Sequence, residues 1–579
     1  MNLILNVKKS KIKKNLFLII SISLLIISVS ILYYIRFNSY INFKKIRCNS
    51  SGADISANLY FPREQLEFQE KYPLVFFVHG LGSQKDLDPR IPIELTKRGF
   101  FVASIDYRGS GESTGNLLDI NHNIYQSRTN IPAIAQDCSK LLDEIETLPE
   151  YSKINNSQIG IVGHSFGGMV ALMNAALDNR FKATVTWAGL VNFSASLFGI
   201  SESHLFMNYI PTKIINTTNP QNLLLIHSIF DNTVPYEKNA LVAQNLTNCE
   251  LINITYDILG GPHYLLADEV LIKTINWFEE KFFNSTTINN PINLSYIQTY
   301  IFLLTTLATL FLTTIAIMIS ISKYFIIEKE SKNILENKKD NHRKYAIKQS
   351  LIIFFSYLGF LLIWITFLNQ IGISGLIIAP ILIILIYFIY IITKYFIKVK
   401  KEKKKILKFT KSDIIKKIKP HLKKNVILYP IISTIVFLTL YFSISISFPF
   451  AFFSPVNVMT FILTFTIYPL YLAIELFYRE VVYKRLDFIK SPTKKIIITN
   501  TMGIINIVIL MILSYSLFLI IAFMATFLII LAVMLMNSII YEKTNKFSSV
   551  LISSFVIIQV FFGSVVSTLF GFGSVIQIL

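Results

Sequence analysis

The chain has 579 residues, 53% of them hydrophobic, and its mean hydropathy is +0.53. The apolar residues are concentrated in runs of about 20, the length that spans a bilayer, so the composition excludes an ordinary soluble protein and predicts a membrane protein. The formal net charge is +20, yet residues 36–296 carry 20 Lys and Arg against 25 Asp and Glu, a net of −5, so the basic excess lies outside them. We interpret that excess as charge facing anionic lipid, which excludes nucleic acid as a partner.

The first apolar run, 15–35, follows a basic segment, 1–14, that holds five lysines. It is longer than the apolar core of a usual signal peptide, and no small-x-small cleavage site stands out. These features favour an uncleaved transmembrane anchor over a cleaved signal peptide. We therefore predict a cytoplasmic basic tail at 1–14 and an anchor at 15–35.

Two short apolar runs, 72–78 and 100–105, each end in a glycine-rich turn. The first leads into His-Gly-Leu-Gly at 79–82, and the second leads into Asp-Tyr-Arg-Gly-Ser-Gly at 106–111. Apolar runs of this length bounded by turns are typical of buried strands in a parallel sheet.

A third apolar run, 159–162, is followed directly by the pentapeptide Gly-His-Ser-Phe-Gly at 163–167 and then by a helix-prone stretch, 169–177. This strand–turn–helix context is what a nucleophile elbow requires, because a serine on such a turn projects its hydroxyl away from the sheet. A pattern this short also arises by chance, so its surroundings decide. Ser165 is the candidate nucleophile.

Two more strands follow, at 223–229 and 251–257. Asp231 lies two residues past the first of them, at the carboxyl end of a predicted strand. His263 lies in a Gly-Gly-Pro-His turn ahead of a final helix, 267–283. The chain order is therefore Ser, Asp, His.

With these motifs in place, residues 50–284 resemble the α/β-hydrolase superfamily, in the branch of esterases, lipases and serine aminopeptidase-like enzymes. The resemblance implies a mostly parallel sheet with helices on both faces, and a catalytic triad. A serine hydroxyl attacks only when an imidazole accepts its proton and an acid orients that imidazole. Ser165, His263 and Asp231 match those roles, and the resemblance assigns the oxyanion hole to the backbone N–H groups of Leu81 and Phe166.

Alternatives remain for several of these residues. Asp257 is the rival acid, and the alternative interpretation of His263 is an ordinary loop histidine. His79 and His164 are expected to shape the turns that contain them, and His227 is expected to be a hydrogen-bonded core residue. The apolar segment between about 188 and 222 is either a lid over the site or plain helical packing.

After this domain the sequence predicts a membrane domain, 297–579, of about eight helices. The loops that separate them alternate between basic and uncharged, as the positive-inside rule requires of cytoplasmic and external loops. Segments 323–348, 398–424 and 479–495 hold eight, thirteen and six Lys and Arg, whereas 369–374 and 448–455 hold none. The predicted spans are 297–322, 349–368, 375–397, 426–447, 456–478, 496–516, 518–540 and 548–575.

The same alternation predicts a multi-pass protein of the cell membrane with a cytoplasmic N-terminus and the hydrolase-like domain outside. All eight Asn-x-Ser/Thr sequons lie in the proposed external part. They are Asn49, Asn155, Asn192, Asn216, Asn245, Asn253, Asn284 and Asn293. Linkers 36–50 and 284–296 are short, so the two flanking spans tether this domain close to the bilayer.

The C-terminal region has a second, degenerate resemblance. Ile474-Glu475 with Arg479 is similar to the Glu-Glu-x-x-x-Arg signature of the CAAX-protease and bacteriocin-processing family, and residues 541–559 are similar to its last segment. The first glutamate is Ile474 here and no histidine follows His421, so the resemblance implies a non-catalytic relative. The alternative is a local ion pair of Glu475 and Arg479, or side chains that reach the membrane interface.

We interpret the whole as a membrane-anchored serine hydrolase that cleaves an ester, thioester or amide through an acyl-enzyme. Its expected partners are membrane lipids and a small-molecule, lipid or peptide acyl substrate. No metal-ligand cluster or P-loop pattern is present in the sequence, so neither a metal nor a cofactor is expected. The alternatives are a serine peptidase or acyltransferase of the same fold, and a transporter or lipid-binding protein with an inactive hydrolase-like head.

Overall fold

A computed structural model describes residues 2–38, 42–62, 71–85, 88–121, 130–255, 261–283, 294–325, 419–445, 474–513 and 517–570, together with positions 348, 351, 464, 468, 471 and 472. The chain divides into two compact units. One is built mainly from residues 29–304, and the other mainly from residues 1–28, 305–447 and 458–565. The candidate site lies in the first.

The first unit is built on one large sheet of eight strands. They are β1 (Asn42–Ser50), β2 (Ala53–Phe61), β3 (Tyr72–Val78), β4 (Phe101–Asp106), β7 (Ile154–His164), β8 (Phe181–Trp187), β9 (Leu223–His227) and β10 (Glu250–Asn253). Two short strands, β5 (Ile120–Asn121) and β6 (Ile131–Pro132), pair with each other outside this sheet. The order of the eight strands is β1-β2-β4-β3-β7-β8-β9-β10. From β4 to β10 all neighbours are parallel, and β1 and β2 add an antiparallel hairpin at one edge.

The helices of this unit cover both faces of the sheet. On one face Leu141 and Met169 belong to the same buried apolar cluster as Phe76 of β3. On the other face Phe278 packs against Gly160, and the Trp187 indole N–H donates to the Thr274 hydroxyl at 2.8 Å. These helices are α2 (Arg90–Thr96), α3 (Asp137–Glu146), α4 (Phe166–Leu177), α5 (Pro211–Ile214), α6 (Ala240–Thr247), α7 (Gly261–Tyr264) and α8 (Asp268–Phe283). Two long helices, α1 (Asn2–Asn38) and α9 (Tyr296–Ile321), flank the domain along the chain, and most of their residues belong to the other unit. The predicted α/β-hydrolase architecture, a mostly parallel sheet with helices on both faces, is confirmed.

The sheet begins earlier than the sequence predicts. Residues 42–50, which fall within the predicted linker, form β1 and pair with β2 along nine residues. Ile46 and Cys48 are buried, while Arg47 between them and the two lysines before them are exposed, so the alternation is hidden among charged side chains. The folded domain therefore starts at residue 42 instead of 50.

Two strand ends also differ from the prediction. β9 ends at His227, two residues before the predicted end, because residues 228–230 turn away from the sheet. Asp231 therefore lies four residues past the strand. β10 spans Glu250–Asn253 and therefore ends before residues 254 and 255, whereas the last two residues of the predicted strand, including Asp257, lie outside the described residues.

The described part of the second unit is helical. Helices Lys424–Ser445, Pro492–Leu513, Leu517–Thr544 and Phe547–Phe570 fall on four of the predicted spans. Among the described residues, three segments are long and apolar enough to cross a membrane, namely Asn15–Tyr34, Tyr296–Tyr324 and Lys419–Ser443. Apart from position 351, the predicted spans at 349–368 and 375–397 lie outside the described residues, and so does most of 456–478.

Candidate active site

Ser165 lies on a strained turn between β7 and α4. Its backbone has φ +54° and ψ −118°, a conformation that side-chain-bearing residues rarely adopt. Its N–H donates to the carbonyl oxygen of Trp187 at 2.8 Å, and its own carbonyl oxygen accepts from Gly168 N at 3.0 Å. These bonds, made to β8 and α4, hold the strained residue in place. The hydroxyl is thereby presented at the carboxyl edge of the sheet.

The two glycines of the pentapeptide are required by close backbone contacts. A Cβ on Gly163 would lie 2.1 Å from the carbonyl oxygen of Gly167. A Cβ on Gly167 would lie 2.3 Å from the carbonyl oxygens of both Val78 and His79. No side chain fits at either position, so α4 packs directly on the end of β3. The turn after β3 is thereby brought beside Ser165.

The structure brings Ser165, His263 and Asp231 together in one chain of hydrogen bonds. His263 Nε2 lies 2.9 Å from Ser165 Oγ, and His263 Nδ1 lies 2.7 Å from Asp231 Oδ2. An ionised carboxylate only accepts hydrogen bonds, so Nδ1 carries the imidazole proton and Nε2 is free to accept the proton of the serine hydroxyl. Asp257, the rival acid, lies outside the described residues.

Asp231 is built to remain an anion. Its Oδ1 accepts from the N–H groups of Thr233 at 2.8 Å and Val234 at 3.0 Å, whereas its Oδ2 lies 2.7 Å from His263 Nδ1 and 3.4 Å from His227 Nε2. Burial acts to raise the pKa of Asp231, but hydrogen bonds from His227, His263 and the Val234 N–H outweigh it and hold the pKa below the usual range. His227, expected in the core, is buried and donates through Nε2 to the Val234 carbonyl at 2.8 Å.

The loop that carries His263 is fastened from the elbow side by His164. The Nε2–H of His164 donates to the carbonyl oxygen of His263 at 2.9 Å. Burial, and secondly the nearby His263, lower the pKa of His164 to about 3, so His164 is neutral at physiological pH. It cannot serve as a cation, and its position fits the structural role that the sequence predicts.

The turn after β3 brings Gly80, the residue before Leu81, against the elbow, because a Cβ on Gly80 would lie 3.4 Å from Ser165 Cβ. Within the described part of the chain, neither the Leu81 N–H nor the Phe166 N–H has a hydrogen-bond acceptor. His79, in the same turn, is buried, stacks on Tyr107 with ring centroids 4.5 Å apart, and contacts Ser110 Oγ at 3.1 Å. His79 therefore has the turn-shaping contacts that are predicted for it.

A buried ion pair braces this turn from behind. Lys85 is 1% exposed, and its Nζ lies 2.7 Å from Asp106 Oδ2 and 3.2 Å from Glu112. Asp106 also accepts from the Lys85 N–H at 2.7 Å. Burial acts to raise the pKa of Asp106, but Lys85 and His79 outweigh it and lower that pKa. The pair ties the turn after β3 to the end of β4.

The sequence does not point to Lys85, or to Arg90, which is 4% exposed and donates to the Leu265 carbonyl at 3.0 Å. Both residues hold loops of the site from outside it. The sequence shows only that a lysine and an arginine follow the His-Gly turn at the carboxyl edge of the sheet. Nothing in the spacing says that either side chain is buried.

The segment between β8 and β9 packs beside the elbow through aromatic side chains. It forms short helical turns at 195–198, 205–208 and 211–214. Phe198 contacts Phe193, Phe206 and Phe166, with ring centroids 5.3–6.0 Å apart. The segment therefore has helical packing of its own, and Phe198 brings that packing onto the residue next to Ser165.

A second polar cluster lies in the helical unit. Arg479 is fully buried and donates to Glu475 at 2.8 Å, to Ser538 at 2.6 Å and to the Met534 carbonyl at 3.1 Å. The helix widens into a π-helical turn at Phe477–Val482, a feature often found at functional sites. Glu475 and Arg479 thus form the local ion pair that the sequence allows, and its charges are satisfied within the cluster.

Comparison with known proteins agrees with the architecture. Residues 73–206 match the family model of the alpha/beta hydrolase fold, a range that contains Ser165 but neither Asp231 nor His263. Platelet-activating factor acetylhydrolase of Cavia porcellus is 26% identical over 154 residues, which cover 21% of this chain and 35% of that protein. The protein of the same name from Canis lupus familiaris is 28% identical over 155 residues, 20% of this chain and 34% of that one.

The chain thus spans about a third of the length of these curated relatives. Among solved structures, acetyl xylan esterase 1 from a Thermoanaerobacterium species is 18% identical, with a TM-score of 0.32, over 42% of this chain and 84% of that one.

Proposed function

Because residues 73–206 place this domain in the α/β-hydrolase superfamily, we propose that the chain is a serine hydrolase that cleaves an acyl bond through an acyl-enzyme. The observation that carries the proposal is the hydrogen-bonded series Ser165 Oγ, His263 Nε2, His263 Nδ1 and Asp231 Oδ2, with links of 2.9 and 2.7 Å. An inactive binding head has no need of a strained serine aligned with an oriented imidazole.

In the first half-reaction Ser165 Oγ attacks the substrate carbonyl carbon while its proton passes to His263 Nε2. The carbonyl oxygen becomes an oxyanion and accepts from the N–H groups of Leu81 and Phe166, which are free for that purpose within the described residues. His263 then gives its proton to the leaving oxygen, sulfur or nitrogen as that bond breaks. In the second half-reaction water loses a proton to His263 and attacks the acyl-enzyme, which regenerates Ser165.

An ester is the favoured substrate bond. This preference rests on the names of several matching relatives, which are acetylhydrolases. A serine peptidase and an acyltransferase remain the alternatives, since the same three residues serve water, amine and alcohol acceptors. Product analysis with water, amines and alcohols as competing acceptors separates the three.

The proposal is tested by labelling with a fluorophosphonate probe, which reacts only with an activated serine. Full-length protein in native membranes should be labelled, and the Ser165→Ala variant should not. A matched control is Ser157→Ala, which removes an exposed serine of the same strand β7 whose hydroxyl donates to Asn155 Oδ1 at 2.8 Å. Labelling of the Ser165→Ala protein at another serine would refute the assignment.

The proposed location is the cell membrane, with the hydrolase domain outside and the basic loops inside. It is supported by the alternation of Lys and Arg and by the apolar segments Asn15–Tyr34 and Tyr296–Tyr324, which flank the domain along the chain. Protease added to intact cells should digest the domain 42–283 and spare the loops at 323–348 and 398–424. Digestion of those loops from outside would overturn the topology.

Tethering on both sides favours a membrane-resident acyl substrate. The linkers to the flanking helices are short: residues 39–41 separate α1 from β1, and residues 284–295 separate α8 from α9. Such a domain meets lipid-linked substrates at high local concentration and soluble ones only by diffusion. Full-length protein in vesicles should hydrolyse lipid esters of its own bilayer in preference to short soluble esters, and exclusive turnover of soluble esters would contradict this.

A further inference from the structure

The loop that carries His263 is held on its far side by α2, a helix that contributes no group to the proposed reaction. Arg90, in the first turn of α2, donates from Nη1 to the carbonyl oxygen of Leu265 at 3.0 Å, two residues past His263. Leu265 is fully buried and has φ +49°, so it needs such a fastening. This contact complements the bond from His164 to the His263 carbonyl at 2.9 Å.

Arg90 is itself fixed on two sides. Its Nη2 lies 2.7 Å from Asp88 Oδ2, and its guanidinium lies 4.9 Å from the ring centre of Trp187. Trp187 ends β8 and supplies the carbonyl oxygen to which the Ser165 N–H donates at 2.8 Å. Arg90 therefore links α2 to the His263 loop through Leu265 and to the Ser165 backbone through Trp187.

One turn further along α2, Glu94 binds the start of α9. Glu94 is fully buried, and its Oε1 accepts from the N–H groups of Ser295 at 2.6 Å and Tyr296 at 2.8 Å. These N–H groups belong to the helix beginning, where intrahelical acceptors are absent and a carboxylate is favoured. The Tyr296 hydroxyl donates to Asp268, the first residue of α8. The first turn of α9 is thus bonded to both helices that adjoin the His263 loop.

We propose that α2 couples the start of α9 to the His263 loop, so that Glu94 and Arg90 are positioning residues for the general base. Both side chains leave the same face of α2, four residues apart, and the bonds of Arg90 to Leu265 and of Glu94 to the Tyr296 N–H are buried. A shift of the first turn of α9 is then transmitted through Glu94 and Arg90 to Leu265. It changes the distance between His263 Nε2 and Ser165 Oγ. The inference rests on the proposed function, and it makes the start of the second apolar segment a part of the active domain.

The test compares four variants of the full-length protein in vesicles, with a p-nitrophenyl ester as substrate. Glu94→Met removes the acceptor for both N–H groups and also the partner of Arg98, whose Nη1 donates to Glu94 Oε2 at 2.8 Å. Glu94→Gln keeps an amide oxygen that can replace Oε1 and controls for the loss of the charge beside Arg98. Arg90→Met removes the donor to Leu265, and Tyr296→Phe removes only the bond to Asp268. Glu280→Gln is the control, because Glu280 is half exposed and bonds to the neighbouring Lys281.

Active sites are titrated with the fluorophosphonate, so that kcat is expressed per reactive serine. We expect Glu94→Met and Arg90→Met to lower kcat per titrated site by about tenfold to a hundredfold, the range for a misplaced catalytic group, with KM nearly unchanged. Glu94→Gln and Tyr296→Phe should lose severalfold at most. The double variant Glu94→Met with Arg90→Met should lose no more than the worse single variant, because both lie on one path.

A merely structural role for these residues predicts fewer titratable sites with an unchanged kcat per site, and that result would overturn the proposal. Fully multiplicative effects in the double variant would overturn it as well. If Glu94→Met does not fold, the comparison of Arg90→Met with Glu280→Gln decides, and equal kcat values per titrated site would overturn the coupling. Failure of the proposed function is recognised separately, since Ser165→Ala would then keep its activity.

Discussion

Replacement of Asp231 by asparagine probes the orientation of His263 with almost no change in shape. The structure decides which way the new amide points. Oδ1 of Asp231 accepts from two backbone donors, the N–H groups of Thr233 and Val234. An amide nitrogen in that place would face two donors, so the amide oxygen of the Asp231→Asn variant occupies the Oδ1 position. Its NH2 group therefore replaces Oδ2, 2.7 Å from His263 Nδ1.

An NH2 group at that position is a donor and forces Nδ1 to become an acceptor. The imidazole proton then lies on Nε2, which faces Ser165 Oγ at 2.9 Å and can no longer take the serine proton. We expect kcat to fall about ten-thousandfold, the loss typical of a wrong histidine tautomer, which corresponds to about 5.5 kcal/mol of activation free energy. The hydrogen bond survives in neutral form, so the free energy of unfolding should fall by only ~1 kcal/mol.

The assay is ester hydrolysis by full-length protein in vesicles, with the thermal midpoint measured on the same samples. Asp257→Asn is the essential comparison, because Asp257 is the other acid that the sequence offers; it should retain full activity. Asp143→Asn, on the exposed side of α3, controls for charge removal. The reasoning is refuted if Asp231→Asn keeps kcat within about tenfold of the wild type, and a large loss in Asp257→Asn would then identify the true acid.

Three further predictions concern the same domain. The pKa of His164 is lowered to about 3 by burial and by His263, so the unfolded state binds more protons than the folded state between about pH 3 and 6.5. The free energy of unfolding should therefore fall by up to ~1.4 kcal/mol per pH unit as the pH drops through that window. In urea unfolding at about pH 7 and 5, His164→Gln should show a smaller change in the free energy of unfolding than the wild type. Gly167→Ala should abolish folded protein, because its Cβ would lie 2.3 Å from two carbonyl oxygens. Gly199→Ala has open space around its Cβ and φ +67°, so it should lower the free energy of unfolding by only about 1 kcal/mol. Equal yields of folded protein from the two variants would contradict this. Phe198→Ala removes the ring that packs on Phe166. It should raise KM for long-chain esters about tenfold, the contribution of one buried aromatic side chain, and leave KM for acetate esters unchanged. An unchanged chain-length preference in a series of p-nitrophenyl esters would show that the aromatic cluster lies away from the acyl chain.

The strands that support the site are readable because they are fully buried. β3 is predicted with its observed bounds, and β4 within one residue, since strands covered on both faces form continuous apolar runs. β1 escapes prediction because only alternate side chains are buried and the exposed ones are charged. A half-buried edge strand with lysines resembles a polar linker until its partner β2 is known.

The sequence by itself determined the order and chemistry of the proposed triad. Ser165, Asp231 and His263 each follow a predicted strand, and parallel strands bring their carboxyl ends to one edge, so local patterns were sufficient to place all three there. It also determined the number of long apolar segments and their alternation with basic loops, because a hydrophobic length and a charge count need no tertiary information.

Only the tertiary structure decided how those residues are held. Three of the buried contacts join positions that are 21 to 202 residues apart in the chain. They pair His164 with the His263 carbonyl, Lys85 with Asp106, and Glu94 with the start of α9. No periodicity records such pairs, because a buried charge is stable only when a distant partner meets it, and that meeting is a property of the packed chain. The sequence named the groups proposed to react, and the fold supplied the buried contacts that fix their positions.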